Sequence, residues 1–103
     1  DIALPDMERW RHHTPVIVDD TISTASTMIA VTGQLVDQGL RPPICCAVHG
    51  IFADGAHQAL LEAGTVRIVT SNTISHPSNA IDVSGILADA TSSLLKQTGL
   101  SRT

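Results

Sequence analysis

A chain of 103 residues has room for one domain with a real core but not for two. Apolar residues make up 43% of it, which argues against disorder; the aromatics, at 2%, are Trp10 and Phe52 alone, too few for a platform that stacks single-stranded nucleic acid. The net charge of −4, with six scattered basic residues, argues against electrostatic binding to nucleic acid or to an anionic membrane. No apolar run is long enough to span a bilayer, and no signal-peptide pattern is present. Cys45 and Cys46 are adjacent in an apolar run, where successive side chains point to opposite faces, so two reduced thiols and a cytoplasmic location are expected. The chain opens on Asp1 rather than Met, and the expectation is a fragment of a longer protein.

Residues 1–14 read as an irregular lead-in punctuated by Pro5 and Pro15, with a helical turn around Asp6 to Trp10. Pro15 to Val18 is a short buried strand. From Ser26 or Thr27 to about Gln38, Met28, Ile29, Val31, Leu35 and Val36 share one broad helical face. Gly33 inside that helix costs about 1 kcal/mol relative to Ala, which a close approach to the sheet would explain. Gly39 stops the helix. Ile44 to Val48 is a second buried strand. Asp54 is placed to cap a helix running through Glu62, with Ala56, Ala59, Leu60 and Ala63 inward. Val66 to Thr70 is a third strand, 71–80 a polar loop, and Ile81 to Val83 a very short fourth strand. Ser84 then caps a helix with Ile86, Leu87, Ala90 and Leu94 on one stripe. Strands alternating with helices predict an α/β three-layer sandwich on a mostly parallel sheet. With so few strands at least one sheet edge is bare, which invites a partner and suits a homo-oligomer.

The stretch Val16-Ile-Val-Asp-Asp-Thr-Ile-Ser-Thr-Ala-Ser-Thr27 carries the most chemistry. An apolar run ends in Asp19 and Asp20, a turn of small hydroxyl residues follows, and a helix begins. In open parallel sheets ligands sit beyond the carboxyl ends of strands. Carboxylates there can accept bonds from vicinal sugar hydroxyls, directly or through Mg²⁺. Backbone N–H groups of Ser23, Thr24, Ala25, Ser26 and Thr27 can wrap a phosphate, aided by hydroxyls and the helix dipole. Spacing alone leaves this reading level with a plain turn capped by Ser26 or Thr27.

The same stretch resembles the phosphoribosyl-pyrophosphate loop of type I phosphoribosyltransferase-fold proteins. With Ala47-Val-His-Gly-Ile-Phe52 after the second strand and Ser71-Asn-Thr-Ile-Ser-His76 after the third, residues 14–95 are similar to the C-terminal domain of the ribose-phosphate pyrophosphokinase family. The resemblance implies a phosphoribosyltransferase-like partial domain over 15–103, with an N-terminal ATP-site domain absent from this stretch. It implies that Asp19 and Asp20 hold ribose hydroxyls, with Mg²⁺ as cofactor, and that Ser23 to Thr27 hold the 5-phosphate of ribose 5-phosphate. It implies pyrophosphoryl transfer from ATP, with the catalytic groups outside this chain and the isolated chain inactive. Two departures stand out. Many members carry a third acid at Ser23 and a glycine pair at Ala25-Ser26; without glycine, the turn is expected to avoid positive φ there.

A nucleotide-salvage phosphoribosyltransferase would use the same loop, but Asn72-Thr73-Ile74 argues against it. A non-catalytic regulatory protein of the same fold is the remaining alternative. His49 reads more readily as a hydrogen-bonded structural histidine than as a ligand contact. His12, His13 and His57 lack zinc-like spacing with any Cys or acid. Asp82 is placed to cap or pair locally.

Overall fold

The computed structural model describes residues 3–99. The outermost residues of the lead-in (1–2) and of the expected domain (100–103) lie outside it. A 3₁₀ turn at Glu8–Trp10 precedes β1 (Val16–Ile22), α1 (Ser26–Asp37), β2 (Ile44–Gly50), α2 (Ala56–Glu62), β3 (Arg67–Ser71), β4 (Asn79–Ile81) and α3 (Ser84–Gln97). The four strands form one all-parallel sheet in the order β1-β2-β3-β4. This is the expected α/β architecture.

The lead-in lies along α1. Gln38 Oε1 accepts the Met7 N–H and its Nε2 donates to the Pro5 carbonyl, at 3.0 and 3.2 Å.

One face of the sheet makes the core. Ile22, Ala25, Met28, Cys45, Ala47, Ala56, Leu60 and Ile68 form a buried cluster, with Ile17, Ile29 and Phe52 against it. Each fully buried aliphatic side chain here contributes about 1.5–3 kcal/mol of transfer free energy. Helix α1 turns Met28, Thr32 and Leu35 inward, a spacing of four and three residues on one face. Helix α2 turns Ala56 and Leu60 inward, while Ala59 is exposed. The other face of the sheet is uncovered among the described residues. Helix α3 has no buried residue, so Ile86, Leu87 and Leu94 face water instead of forming the inward stripe expected of a third layer.

Several local expectations are corrected. Strand β1 runs through the acidic pair to Ile22 rather than stopping at Val18. It is an edge strand, so its polar side chains meet solvent while its backbone still pairs with β2. Strand β4 begins at Asn79 rather than Ile81. A Cβ placed on Gly33 would have nothing within 4 Å, so no close approach to the sheet accounts for that glycine. Asp54 does not cap α2; Gly55, at φ 76°, takes that position with no side-chain bond. Asp82 rather than Ser84 tends the start of α3, its carboxylate accepting the Ser84 N–H at 2.8 Å.

Thr32 shows where the apolar pattern of α1 is incomplete. It is fully buried and its hydroxyl oxygen has no partner in hydrogen-bonding geometry. Burial pushes the nearby Cys45 thiol up. An orphaned buried hydroxyl costs on the order of 1 kcal/mol or more, and Thr32→Val keeps its shape. That variant is expected to raise the melting temperature by roughly 4–8 °C per kcal/mol recovered. A lower melting temperature in thermal unfolding would contradict the assignment.

Candidate functional site: the turn between β1 and α1

The site sits at the carboxyl end of β1, where the strand hands over to α1. The segment after β2 braces it from the side. Ile51 and Phe52 N–H both donate to the Ile22 carbonyl at 3.0 Å, and Ala53 N–H donates to the Ser23 carbonyl at 2.9 Å. Ile22, Ala25 and Met28 are buried beneath the turn. Ser23, Thr24, Ser26 and Thr27 are exposed above it. Together with Asp19 and Thr21 they line a cavity of about 160 Å³.

Ala25 sets the shape of that cavity. It adopts φ 65° and ψ 11°, so the turn does enter the left-handed region despite lacking glycine. A left-handed residue running into a right-handed helix aims successive N–H groups into one concavity, a conformation suited to anions. Ala25 offers no capping side chain, and the first turn of α1 carries no acidic residue. The first-turn N–H groups and the positive end of the dipole are therefore open to an outside acceptor. Inside the turn, Ser26 N–H reaches Thr24 Oγ1 at 3.4 Å, and that hydroxyl donates to Ser26 Oγ at 3.2 Å. Among the described residues no Lys or Arg lines the cavity, so an anion there would be held by backbone, hydroxyls and dipole.

The two carboxylates are not equivalent. They occupy consecutive positions of an extended strand, so their side chains leave opposite faces. Asp19 lines the turn cavity, and its Oδ1 accepts the Asp20 N–H at 2.7 Å. Asp20 is exposed and does not line the cavity. Thr21 does, although the sequence motif does not single it out; its place two residues from Asp19 on the same strand face is the available signal.

Beside the turn lies a ring cluster. Phe52 meets His57 edge-on at 5.1 Å between centroids and His76 at 4.3 Å, with the two imidazoles 5.0 Å apart. Burial and the neighbouring His76 hold His57 below the usual histidine range. Ser78 N–H donates to His76 Nδ1 at 3.0 Å, which puts the proton of a neutral His76 on Nε2. Gly50 is required next to this cluster, since a Cβ there would stand 2.7 Å from Phe52 Cε2 and 2.9 Å from the Thr70 methyl. His49 is the structural histidine the sequence suggests, with Nδ1 2.8 Å from Thr73 Oγ1. Asp82 is held below the usual carboxylate range by the Ser84 N–H first, then by the Ser84 hydroxyl and the Asn72 amide.

No family model matches the chain. Among curated proteins it is similar to the ribose-phosphate pyrophosphokinase of Sulfurisphaera tokodaii, 45% identical over 76 residues, which is 71% of this chain and 26% of that protein. It is 34% identical over 80 residues to that of Sulfolobus acidocaldarius, covering 78% of this chain and 27% of the relative. It is 43% identical over 68 residues to that of Pyrococcus furiosus, covering 66% and 24%. The chain therefore spans about a quarter of the length of these relatives, and over that part it is homologous to them.

The conformation of Ala25 generates a prediction. Ala25→Val puts a β-branched residue at positive φ in a buried position and is expected to cost on the order of 2–3 kcal/mol. Ala25→Gly is expected to stay within about 1 kcal/mol of the parent, because relief of left-handed strain offsets the lost buried methyl, itself worth about 0.8 kcal/mol. Thermal unfolding of the two variants checks this; equal stability of the Val variant and the parent would contradict the left-handed assignment.

Proposed function

We propose that this chain is the sugar-phosphate-binding part of a ribose-phosphate pyrophosphokinase, an enzyme that makes phosphoribosyl pyrophosphate from ATP and ribose 5-phosphate. The observation that carries the reading is the polarity of the turn. Its α1 end offers N–H donors and a positive dipole, and its β1 end offers the Asp19 carboxylate. A sugar phosphate has the matching order, with an anion at one end and hydroxyl donors at the other. Homology to proteins named for this activity favours ribose 5-phosphate among sugar phosphates.

In this reading Ser23 to Thr27 bind the 5-phosphate and Asp19 accepts from a ribose hydroxyl, while Asp20, on the other face of the strand, has no contact in this cavity. Holding the ribose by both ends fixes the direction of its anomeric hydroxyl, and phosphoryl transfer depends chiefly on such positioning and on charge neutralisation. The groups that act on ATP are assigned to the longer protein, of which this chain spans about a quarter. Mg²⁺ suits the donor set. That ion is commonly held by one or two carboxylates together with substrate oxygens. Asp19 would hold it, and when bound it would supply neutralisation of phosphate charge. No helix among the described residues is long and apolar enough to cross a membrane.

In the full-length protein, Asp19→Ala combined with Asp20→Ala is expected to abolish synthesis of phosphoribosyl pyrophosphate from ATP and ribose 5-phosphate. Of the single variants, Asp19→Asn is expected to lose more, at least 10-fold in kcat/KM for ribose 5-phosphate, or about 1.4 kcal/mol. Near-normal turnover in the double variant would contradict the proposal.

A further inference from the structure

Three half-buried rings meet beside the β1–α1 turn, and a polar network lies behind one of them. Phe52 stacks on His76 at 4.3 Å between centroids and 32° between planes, and His57 lies 5.1 Å from the first ring and 5.0 Å from the second. The Asn79 amide donates to Thr70 Oγ1 at 2.9 Å and to the Ser71 carbonyl at 2.8 Å. Thr70 Oγ1 is 2.7 Å from Ser78 Oγ, which is 2.8 Å from His76 Nδ1. One placement of protons satisfies both hydroxyls. Thr70 donates to Ser78, and Ser78 donates to Nδ1, which also accepts the Ser78 N–H at 3.0 Å.

A bare lone pair on His76 Nδ1 is thus the final acceptor of a chain whose Thr70 and Ser78 are buried. A proton on Nδ1 would set a second donor against the Ser78 N–H. Reversing the hydroxyls to receive that proton would leave the Thr70 proton without an acceptor. The Phe52 backbone depends on its ring being held. It sits at φ 51°, a left-handed conformation that a bulky residue keeps only where its surroundings impose it. Its N–H donates to the Ile22 carbonyl at the foot of the turn.

We propose that the Phe52–His57–His76 stack is a proton-operated latch on the β1–α1 turn: charging the imidazole pair breaks the His76–Ser78–Thr70 chain, frees the Phe52 ring and loosens the turn, which then holds an anion less well. Two imidazoles this close repel when both are charged. Burial, and then the neighbouring His76, hold His57 below the usual histidine range. The surrounding elements carry His49 on β2, Asp54 and Glu62 about α2, Arg67 on β3 and Asp82 after β4. Among the described residues no carboxylate forms an ion pair with either imidazole to offset a charge there. His57 takes up a proton more readily in the unfolded chain. The stability it supports is therefore complete above about pH 6.5 and is lost progressively as the pH falls below that value. The loss of anion binding rests on the reading of the turn as an anion site, whereas the loosening of Phe52 does not.

The test is NMR of the 103-residue chain, read at amides and imidazoles, from about pH 7.5 to about pH 5.5. It is run without ligand and with sulfate, whose charge is constant over that range. Without ligand, the amides of residues 51–53 and 24–28 are expected to shift with the midpoint of the His57 and His76 ring signals, with the helical circular-dichroism signal retained. Amides that ignore the ring titration, or a general loss of helix, would overturn the latch. With sulfate, the dissociation constant read at residues 24–28 is expected to rise about 10-fold on acidification. Tighter sulfate binding at the lower pH, as an imidazolium that merely attracts the anion would give, would also overturn it. No sulfate shift at the higher pH would instead remove the anion reading of the turn, with the ligand-free amides still deciding the latch. His57→Gln with His76→Asn removes both titrating rings, and the Asn side-chain oxygen can still accept the Ser78 N–H two residues on. Sulfate affinity of that variant is expected to agree within about 2-fold at the two pH values. A pH dependence as large as the parent's would overturn the assignment to these rings.

Discussion

The three hydrogen bonds that Ile51, Phe52 and Ala53 donate to the carbonyls of Ile22 and Ser23 are the constraint on which the rest of the site depends. They extend the β1–β2 pairing past the last residue of the strand, so the chain enters the turn on a fixed course. The burial of Ile22, Ala25 and Met28 then holds the floor of the turn against the core. Ala25 is left with a left-handed conformation, and its strain of about 1–2 kcal/mol is tolerated because both flanks are already determined. The open N–H groups at the head of α1 follow from this geometry.

The turn and the core share residues here. Gly50 gives room for the Phe52 ring and the Thr70 methyl, and Phe52 N–H braces the turn. The polar network of Thr70, Ser78 and Asn79 ties β4 to β3, with Asn79 Nδ2 reaching Thr70 Oγ1 at 2.9 Å and the Ser71 carbonyl at 2.8 Å. Damage to the core beneath the turn is thus felt at the turn itself, because close-packed interiors transmit small displacements.

Much of the fold is legible in the sequence because aliphatic runs and helical spacing report burial directly. The alternation of strands and helices, the stop at Gly39 and the start of α1 at Ser26 all follow from such patterns. The pattern is silent where burial and secondary structure part company. On edge strand β1 the exposed Asp19 and Asp20 and the half-buried Thr21 lie beyond the apolar run, yet the backbone pairing continues through them. Thr32 is inward because its position on the helix, not its polarity, faces the core. The stripe of α3 is plainly apolar in the sequence, but apolarity names a surface to be covered and not what covers it. Within the site, the motif brings together Asp19 and residues 23–27, which do line one cavity; it pairs Asp20 with them by adjacency, whereas strand alternation sends that side chain to the other face. The left-handed state of Ala25 is hidden because glycine is the usual signal for it.

The central claim is that the turn reads a sugar phosphate by its two ends. The most direct measurement is an amide-resolved NMR titration of the 103-residue chain with ribose 5-phosphate and, separately, with inorganic phosphate. The account predicts that both ligands shift the amides of residues 24–28, and that only ribose 5-phosphate also shifts those of residues 19–21. Unchanged amides across 24–28 at millimolar ligand, or shifts centred elsewhere in the chain, would contradict it.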